Sequence, residues 1–299
     1  VNAMTRMSHG ASLFAALPGP ARGAIWMLGA SVFFGTQGPL VRFSVADGAD
    51  PMVITFVRSF VLFLLMLPWI LRHRRTTLRS KRPGAQILRS VFSMGGLILL
   101  VYAQTKLPLA EVSALTFAAP LFGTIGAALL LGEVVRLQRW IATLVGFVGV
   151  WLVLRPGMSE VDPFFVLPLI SAVFIAASNL MIRSLSHRDS PETTIAWLAM
   201  VSVPITLVPA LFFWSWPEPM AFVWMSMLGV TALSAHYCLT QAFTAAEASA
   251  VLPYDYSRLI VTSTFGFLLF AEVPTIWTWV GGAVIVGAVV YMARRGNAH

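Results

Sequence analysis

Ten apolar runs dominate this sequence, near 24–46, 51–71, 84–106, 108–131, 137–154, 163–183, 192–214, 219–243, 246–271 and 276–293. A hydrocarbon core about 30 Å thick needs about 20 apolar residues in each helix that crosses it. Lipid offers the backbone no hydrogen-bond partners, so such runs must satisfy their own amides and carbonyls as helices. The chain therefore reads as an all-α integral membrane protein with ten transmembrane helices. Charged residues supply only 11% of its 299 positions, against about 25% in a soluble domain, so it has too few polar groups to cover a water-exposed surface.

The sparse charges are ordered. If the first run leaves from the cytoplasm, Arg6, Arg22, Arg72, Arg74, Arg75, Arg79, Lys81, Arg82, Arg136, Arg139, Arg183, Arg188, Arg294 and Arg295 fall inside, and only Lys106 and Arg155 fall outside. Fourteen against two is the bias that orients inner-membrane proteins, so both termini are expected in the cytoplasm. The +8 formal charge is explained by this distribution, and no basic face for nucleic acid is implied. All ten tryptophans lie near run ends, as interfacial anchors do. The single Cys238 excludes an intrachain disulfide and a thiolate metal cluster, and no cofactor or metal is expected.

The sequence also repeats itself. Ala110-Glu111-Val112-Ser113-Ala114 returns as Ala246-Glu247-Ala248-Ser249-Ala250, and Glu133 with Trp140 returns as Glu272 with Trp279. Phe33 with Arg42 returns as Phe174 with Arg183. Each copy holds five runs, giving repeats at 24–158 and 163–295 between tails at 1–23 and 296–299. An odd number of spans per copy inverts the second relative to the first, the arrangement of alternating-access carriers. The second copy carries three additional residues between Glu247 and Glu272. They fall in or beside Leu252-Pro253-Tyr254-Asp255-Tyr256-Ser257-Arg258, and the fourth run has a proline of its own, Pro120. Interrupted helices at corresponding places of two halves point to a binding site.

Pro108-Leu109-Ala110-Glu111-Val112-Ser113-Ala114-Leu115, Ala119-Pro120-Leu121-Phe122, Leu131-Gly132-Glu133, Gly146-Phe147-Val148-Gly149-Val150 and Leu154-Arg155-Pro156-Gly157 resemble the EamA-type members of the drug/metabolite transporter superfamily. The likeness covers nearly the whole chain. It implies ten helices, a central cavity lined from both halves, and transport without ATP hydrolysis. Members include exporters of amino acids and importers of vitamins or S-adenosylmethionine, so the family leaves substrate and direction open.

The candidate substrate residues are Arg258, Asp255, Tyr254, Tyr256, Tyr102, Gln37, Asn179, Tyr237 and His236. Arg258 falls near the midplane, where a guanidinium costs about 2.5–3.5 kcal/mol and so needs a cavity or a partner. Asp255, three residues earlier, can be that partner. Tyr102 and Tyr237 occupy matched positions, as do Gln37 and Asn179 within one residue, suiting two walls of one cavity. His236 is the candidate for a coupling proton. Arg58 and Arg89 are expected to reach an interface along their stems, and Arg42 to sit at the outer interface with no special role. Glu111, Glu133, Glu247 and Glu272 read as structural.

No HExxH, P-loop or GxSxG is present, so an enzyme is not expected. The sequence reads as a multi-pass inner-membrane secondary transporter of a small organic metabolite, amino acid-like, a vitamin or another amphipathic solute, in contact with lipid. The alternative is a channel-like or structural membrane protein.

Overall fold

The computed structural model describes residues 17–73, 80–119, 121–123, 125–126, 137–154, 162–186, 189–246, 254–255 and 257–296. Among them the regular structure is helical: α1 (Gly19–Gly35), α2 (Gln37–Ala46), α3 (Pro51–Arg72), α4 (Pro83–Lys106), α5 (Leu109–Thr116), α6 (Leu137–Leu154), α7 (Val166–Ser186), α8 (Pro191–Phe212), α9 (Pro219–Ala245), α10 (Ser257–Phe270) and α11 (Ile276–Gly296). Six segments are long and apolar enough to cross a membrane: Gly19–Ala46, Pro51–Arg72, Pro83–Lys106, Pro163–Ile182, Pro191–Phe212 and Pro219–Ala245. The shorter apolar helices α5, Leu144–Val153, α10 and Ile276–Ala288 lie within the other four runs. Pro120, Glu133, Glu247, Pro253 and Tyr256, like the side chain of Arg183, lie outside what is described.

Proline sets many of the boundaries. It opens α3, α4, α8 and α9, where its missing N–H would have no helical partner anyway. Asp50 caps α3 by accepting from the Met52 amide at 2.8 Å, and Ser190 caps α8 by accepting from Thr193 at 3.2 Å. Inside a helix, proline removes the bond to the carbonyl four residues earlier and crowds it. Pro39 does this to Gly35, and the expected continuous run 24–46 is divided at Thr36 into α1 and α2. Pro120 stands four residues beyond Thr116, where α5 ends.

The surface carries the apolar side chains and the interior many of the polar ones. Leu137, Ile141, Leu144, Val148 and Trp151 form an exposed stripe on α6 at helical spacing, while Gln37, Thr55, Arg58, Ser59, Gln86, Arg89 and Ser90 are buried. Lipid rather than water is the solvent that this arrangement suits.

Pairing between the helices follows the sequence repeat. α1 packs on α9 as α7 packs on α4, and α3 packs on α9 as α8 packs on α4. The pairs α3–α8, α5–α10 and α6–α11 each join one copy to its own counterpart. Exchanging the two copies therefore leaves this set of contacts unchanged. The α6–α11 crossing is close because Gly149 and Gly281 face each other: a Cβ on Gly149 would lie 2.7 Å from the Gly281 oxygen, and one on Gly281 2.6 Å from the Gly149 oxygen.

Candidate substrate cavity

The break in the first helix at Thr36 and the turn that follows α5 at residues 117–118 both lie beside an internal space. A small cavity is lined by Phe34, Gln37 and Val41 of the first helix pair, Arg58 of α3, Leu97, Leu100, Val101 and Gln104 of α4, Ser113 and Thr116 of α5, Leu228 of α9, and Arg258 and Thr262 of α10. Both copies contribute to it. Its described polar lining consists of two guanidinium groups, two amides and three hydroxyls, with no carboxylate.

Arg58 is 3% exposed. Its Nη2 donates to Gln37 Oε1 at 3.4 Å, and both Arg58 Nε and Gln37 Nε2 are buried without a partner. The expectation that Arg58 reaches an interface is therefore corrected, because α9 closes over this turn of α3: a Cβ on Gly229 would lie 3.0 Å from the Arg58 carbonyl oxygen. Arg89 is likewise buried rather than interfacial, but it is held structurally, donating to the Thr194 carbonyl at 3.0 Å.

Arg258 enters the cavity from α10. Its Nη2 lies 3.8 Å from Asp255 Oδ2, and its guanidinium stands over the rings of Phe117 at 5.2 Å and Phe34 at 5.8 Å. Ser31 donates to Asp255 Oδ1 and to the Tyr254 carbonyl, both at 3.3 Å, which ties α1 to the start of α10. Gly35 has room for Val261 only because it lacks a Cβ, which would lie 2.7 Å from Val261 Cγ1.

Of the candidate residues, Gln37 and Arg258 line the cavity, and Asp255 stands behind Arg258. The tyrosines are placed differently from the two-walled arrangement expected. Tyr102 packs against Phe164 with Lys106 above its ring, and Tyr237 lies edge-on to Trp26 and accepts from Gln241 at 3.1 Å. Tyr254 is exposed. His236 meets the Phe34 ring edge-on, one residue removed from the lining, and Asn179 lies on α7 outside it. Matched spacing along the chain does not give the helix face, which depends on how α4 and α9 rotate against their neighbours. Arg58, Gln104, Ser113, Thr116 and Thr262 line the cavity as well. The intramembrane charge at Arg58 was the one available signal for this group.

A second polar cluster ties the bundle together at the end where α4 finishes and α5 begins. Arg42 pairs with Glu272 and donates to the carbonyls of Gln104 at 3.1 Å and Leu107 at 2.6 Å. Glu272 accepts from the Leu109 amide at 3.0 Å through its other oxygen. The guanidinium of Arg42 stands 5.1 Å from the Phe270 ring centre. Arg42 is thus no interfacial bystander, and the cause is the α10–α11 turn, which carries Glu272 back over the helix ends. That turn uses Ala271 at φ 52°.

The sequence model described as the EamA-like transporter family matches this chain twice, over residues 21–155 and 164–294. The chain belongs to the EamA-like transporter family. It is 31% identical to the riboflavin transporter of Vibrio cholerae over 92% of its own length and 94% of that protein's. It is 26% identical to the S-adenosylmethionine uptake transporter of Rickettsia prowazekii over 80% and 81%. With the pseudopaline exporter CntI of Pseudomonas aeruginosa it shares 30% identity over 89% and 93%. A solved crystal structure at 18% identity superposes with a TM-score of 0.66, covering 93% of this chain and 99% of that one, which shows the fold. As an EamA-like protein the chain is a multi-pass membrane transporter of small metabolites and not an enzyme.

Proposed function

We propose that this EamA-like protein is a secondary carrier of the bacterial inner membrane, built from two inverted five-span repeats at 24–158 and 163–295, that moves an amphipathic organic metabolite by alternating access. The observation that carries this reading is the cavity itself, which both repeats line at the ends of interrupted helices and which holds buried polar atoms without partners. The exchange symmetry of the helix pairs supports the repeat, and the fourteen-to-two distribution of basic residues supports cytoplasmic termini. In that orientation the Arg42–Glu272 cluster lies at the outer end and closes it. Alternating access then requires the cluster to open as the opposite end closes.

The relatives carry names for both uptake and export and for three different solutes, so the chemistry of the cavity has to choose among substrates. The test is solute counterflow in proteoliposomes holding the full chain, with riboflavin, S-adenosylmethionine and the common amino acids as first solutes. Saturable uptake accelerated by the same solute inside is the expected result. Flux that rises linearly with concentration and shows no exchange would establish the channel reading instead.

A further inference from the structure

The cavity is unbalanced in charge. Arg58 is almost fully buried, and its only described hydrogen bond is a long one to a neutral amide. No carboxylate lies within 4 Å of it among the described residues, and none lines the cavity. Arg258 brings a second guanidinium, with Asp255 Oδ2 at 3.8 Å as its counter-charge, so of the two positive groups Arg58 is the one left uncompensated among the described residues. Arg89 has the same burial and likewise an Nε without a partner, but its Nη1 donates to a backbone carbonyl and it lies away from the cavity, so it is the cavity beside Arg58 that makes the difference.

An unpaired guanidinium removed from water is strongly disfavoured unless something returns the lost interactions. On two residues that line the cavity, Arg58 and Gln37, the buried Nε and Nε2 are both donors left over. Two leftover donors beside an uncompensated positive charge fit an oxyanion with more than one acceptor oxygen. Phe34, Val41, Leu97, Leu100, Val101 and Leu228 supply an apolar wall for the rest of such a molecule.

We propose that the substrate is an organic anion whose carboxylate or phosphate is received by Arg58 and Arg258, with Gln37 completing the contacts, and whose apolar part lies toward Phe34, Leu97, Val101 and Leu228. This rests on the central cavity being the transport site. It gives that site a charge preference and assigns Arg58 as the principal recognition group. Asp255 orients Arg258 and does not receive a substrate amine.

The experiment is a thermal-shift series on the detergent-purified full chain at constant ionic strength, using probes that differ in charge on a shared frame. Benzoate is set against benzamide and benzylamine, succinate against succinamide, and glycerol 3-phosphate against glycerol. Stabilisation by at least one of the anions, with none from its neutral or cationic counterpart, is expected. Arg58→Gln should weaken the apparent affinity for that anion at least about tenfold, the loss of a charge-assisted contact, with Arg58→Lys recovering part of it. The ligand-free melting midpoint of Arg58→Gln should equal or exceed that of the wild type, because an uncompensated charge has been removed. A structural arginine would lower it. Equal shifts from charged and neutral probes, a preference for benzylamine, or no shift from any anion would each overturn the proposal, and these arms need only the wild-type protein. Counterflow of a neutral solute would leave the carrier reading standing and remove this inference; linear flux with no exchange would remove the carrier reading.

Discussion

Arg58 and Arg89 show how a residue's meaning depends on what its neighbours leave open. Both are buried and both keep an Nε without a partner, but Arg89 lies away from the cavity and donates from Nη1 to the Thr194 carbonyl where α4 meets α8. Arg89→Gln should therefore lower the melting midpoint, by about 1.5–3 kcal/mol, the worth of the charge-assisted hydrogen bond that joins the two helices. Ala271 is a second case. It adopts a left-handed backbone at φ 52°, where an L side chain crowds the following carbonyl. Its counterpart in the first repeat is Gly132, the residue that takes this conformation freely. Ala271→Gly should accordingly be neutral or stabilising by up to about 1 kcal/mol, read from thermal unfolding in detergent. Outside the spans, Asp189 accepts from Ser80 Oγ at 2.5 Å, Gln86 Nε2 at 2.9 Å and the Lys81 amide at 3.2 Å. Burial pushes its carboxyl up, but these hydrogen bonds and the Lys81 charge outweigh that and hold it below the usual value. Its contribution is then complete above the ordinary carboxylate range and is lost as pH falls through the depressed value. Asp189→Asn should lower the midpoint at neutral pH and narrow its gap to wild type in strong acid.

At the scale of helices, the interruptions and crossings carry the function. Pro39 and Pro120 each stand four residues past the point where a helix stops, and the two stops open the cavity between α1–α2 and α5. The α6–α11 crossing depends on two glycines whose missing Cβ atoms let the backbones meet. Gly281→Leu should separate these helices and cost more than the about 1–3 kcal/mol of ordinary overpacking, because the obstructing atoms are backbone. A melting midpoint equal to wild type would show that the crossing is looser than this geometry. The Arg42–Glu272 cluster fastens α2, the α4–α5 junction and the α10–α11 turn. Glu272→Gln removes the charge that holds it. In a Cys238→Ser background, a cysteine introduced as Thr262→Cys should then react faster with an impermeant maleimide applied from the outer face. An unchanged rate would mean that this cluster does not govern entry.

For the molecule as a whole, the pairing of α1 with α9 across the two repeats has a direct chemical test. A Cβ on Gly29 would lie 3.5 Å from Cys238 Sγ, close to disulfide reach, and Cys238 is the chain's single cysteine. Gly29→Cys should form an intrachain disulfide on mild oxidation, detected by mass spectrometry or a gel shift. Orientation is tested by reporters fused after Arg82, expected to be cytoplasmic, and near Asp50, expected to be external.

The sequence by itself determined the class of fold, since runs of about 20 apolar residues can satisfy their backbones in lipid only as helices. It also shows an internal repeat, with Glu133 and Glu272, and Arg42 and Arg183, at matched spacings. That the charge at Arg258 would need a partner or a cavity was legible from the cost of a guanidinium within a span, and it has Asp255 beside it and lines the cavity. Tertiary structure alone decided which face each helix turns inward. A one-dimensional pattern records depth along a helix but not rotation about its axis, and a helix in lipid has little polar face to betray that rotation. Hence Tyr102 and Tyr237 turn to Phe164 and Trp26 rather than to the cavity, whereas Arg58 turns inward beneath α9 and lines it. The meeting of Arg42 with Glu272, 230 residues apart, follows only from the packing of one repeat against the other.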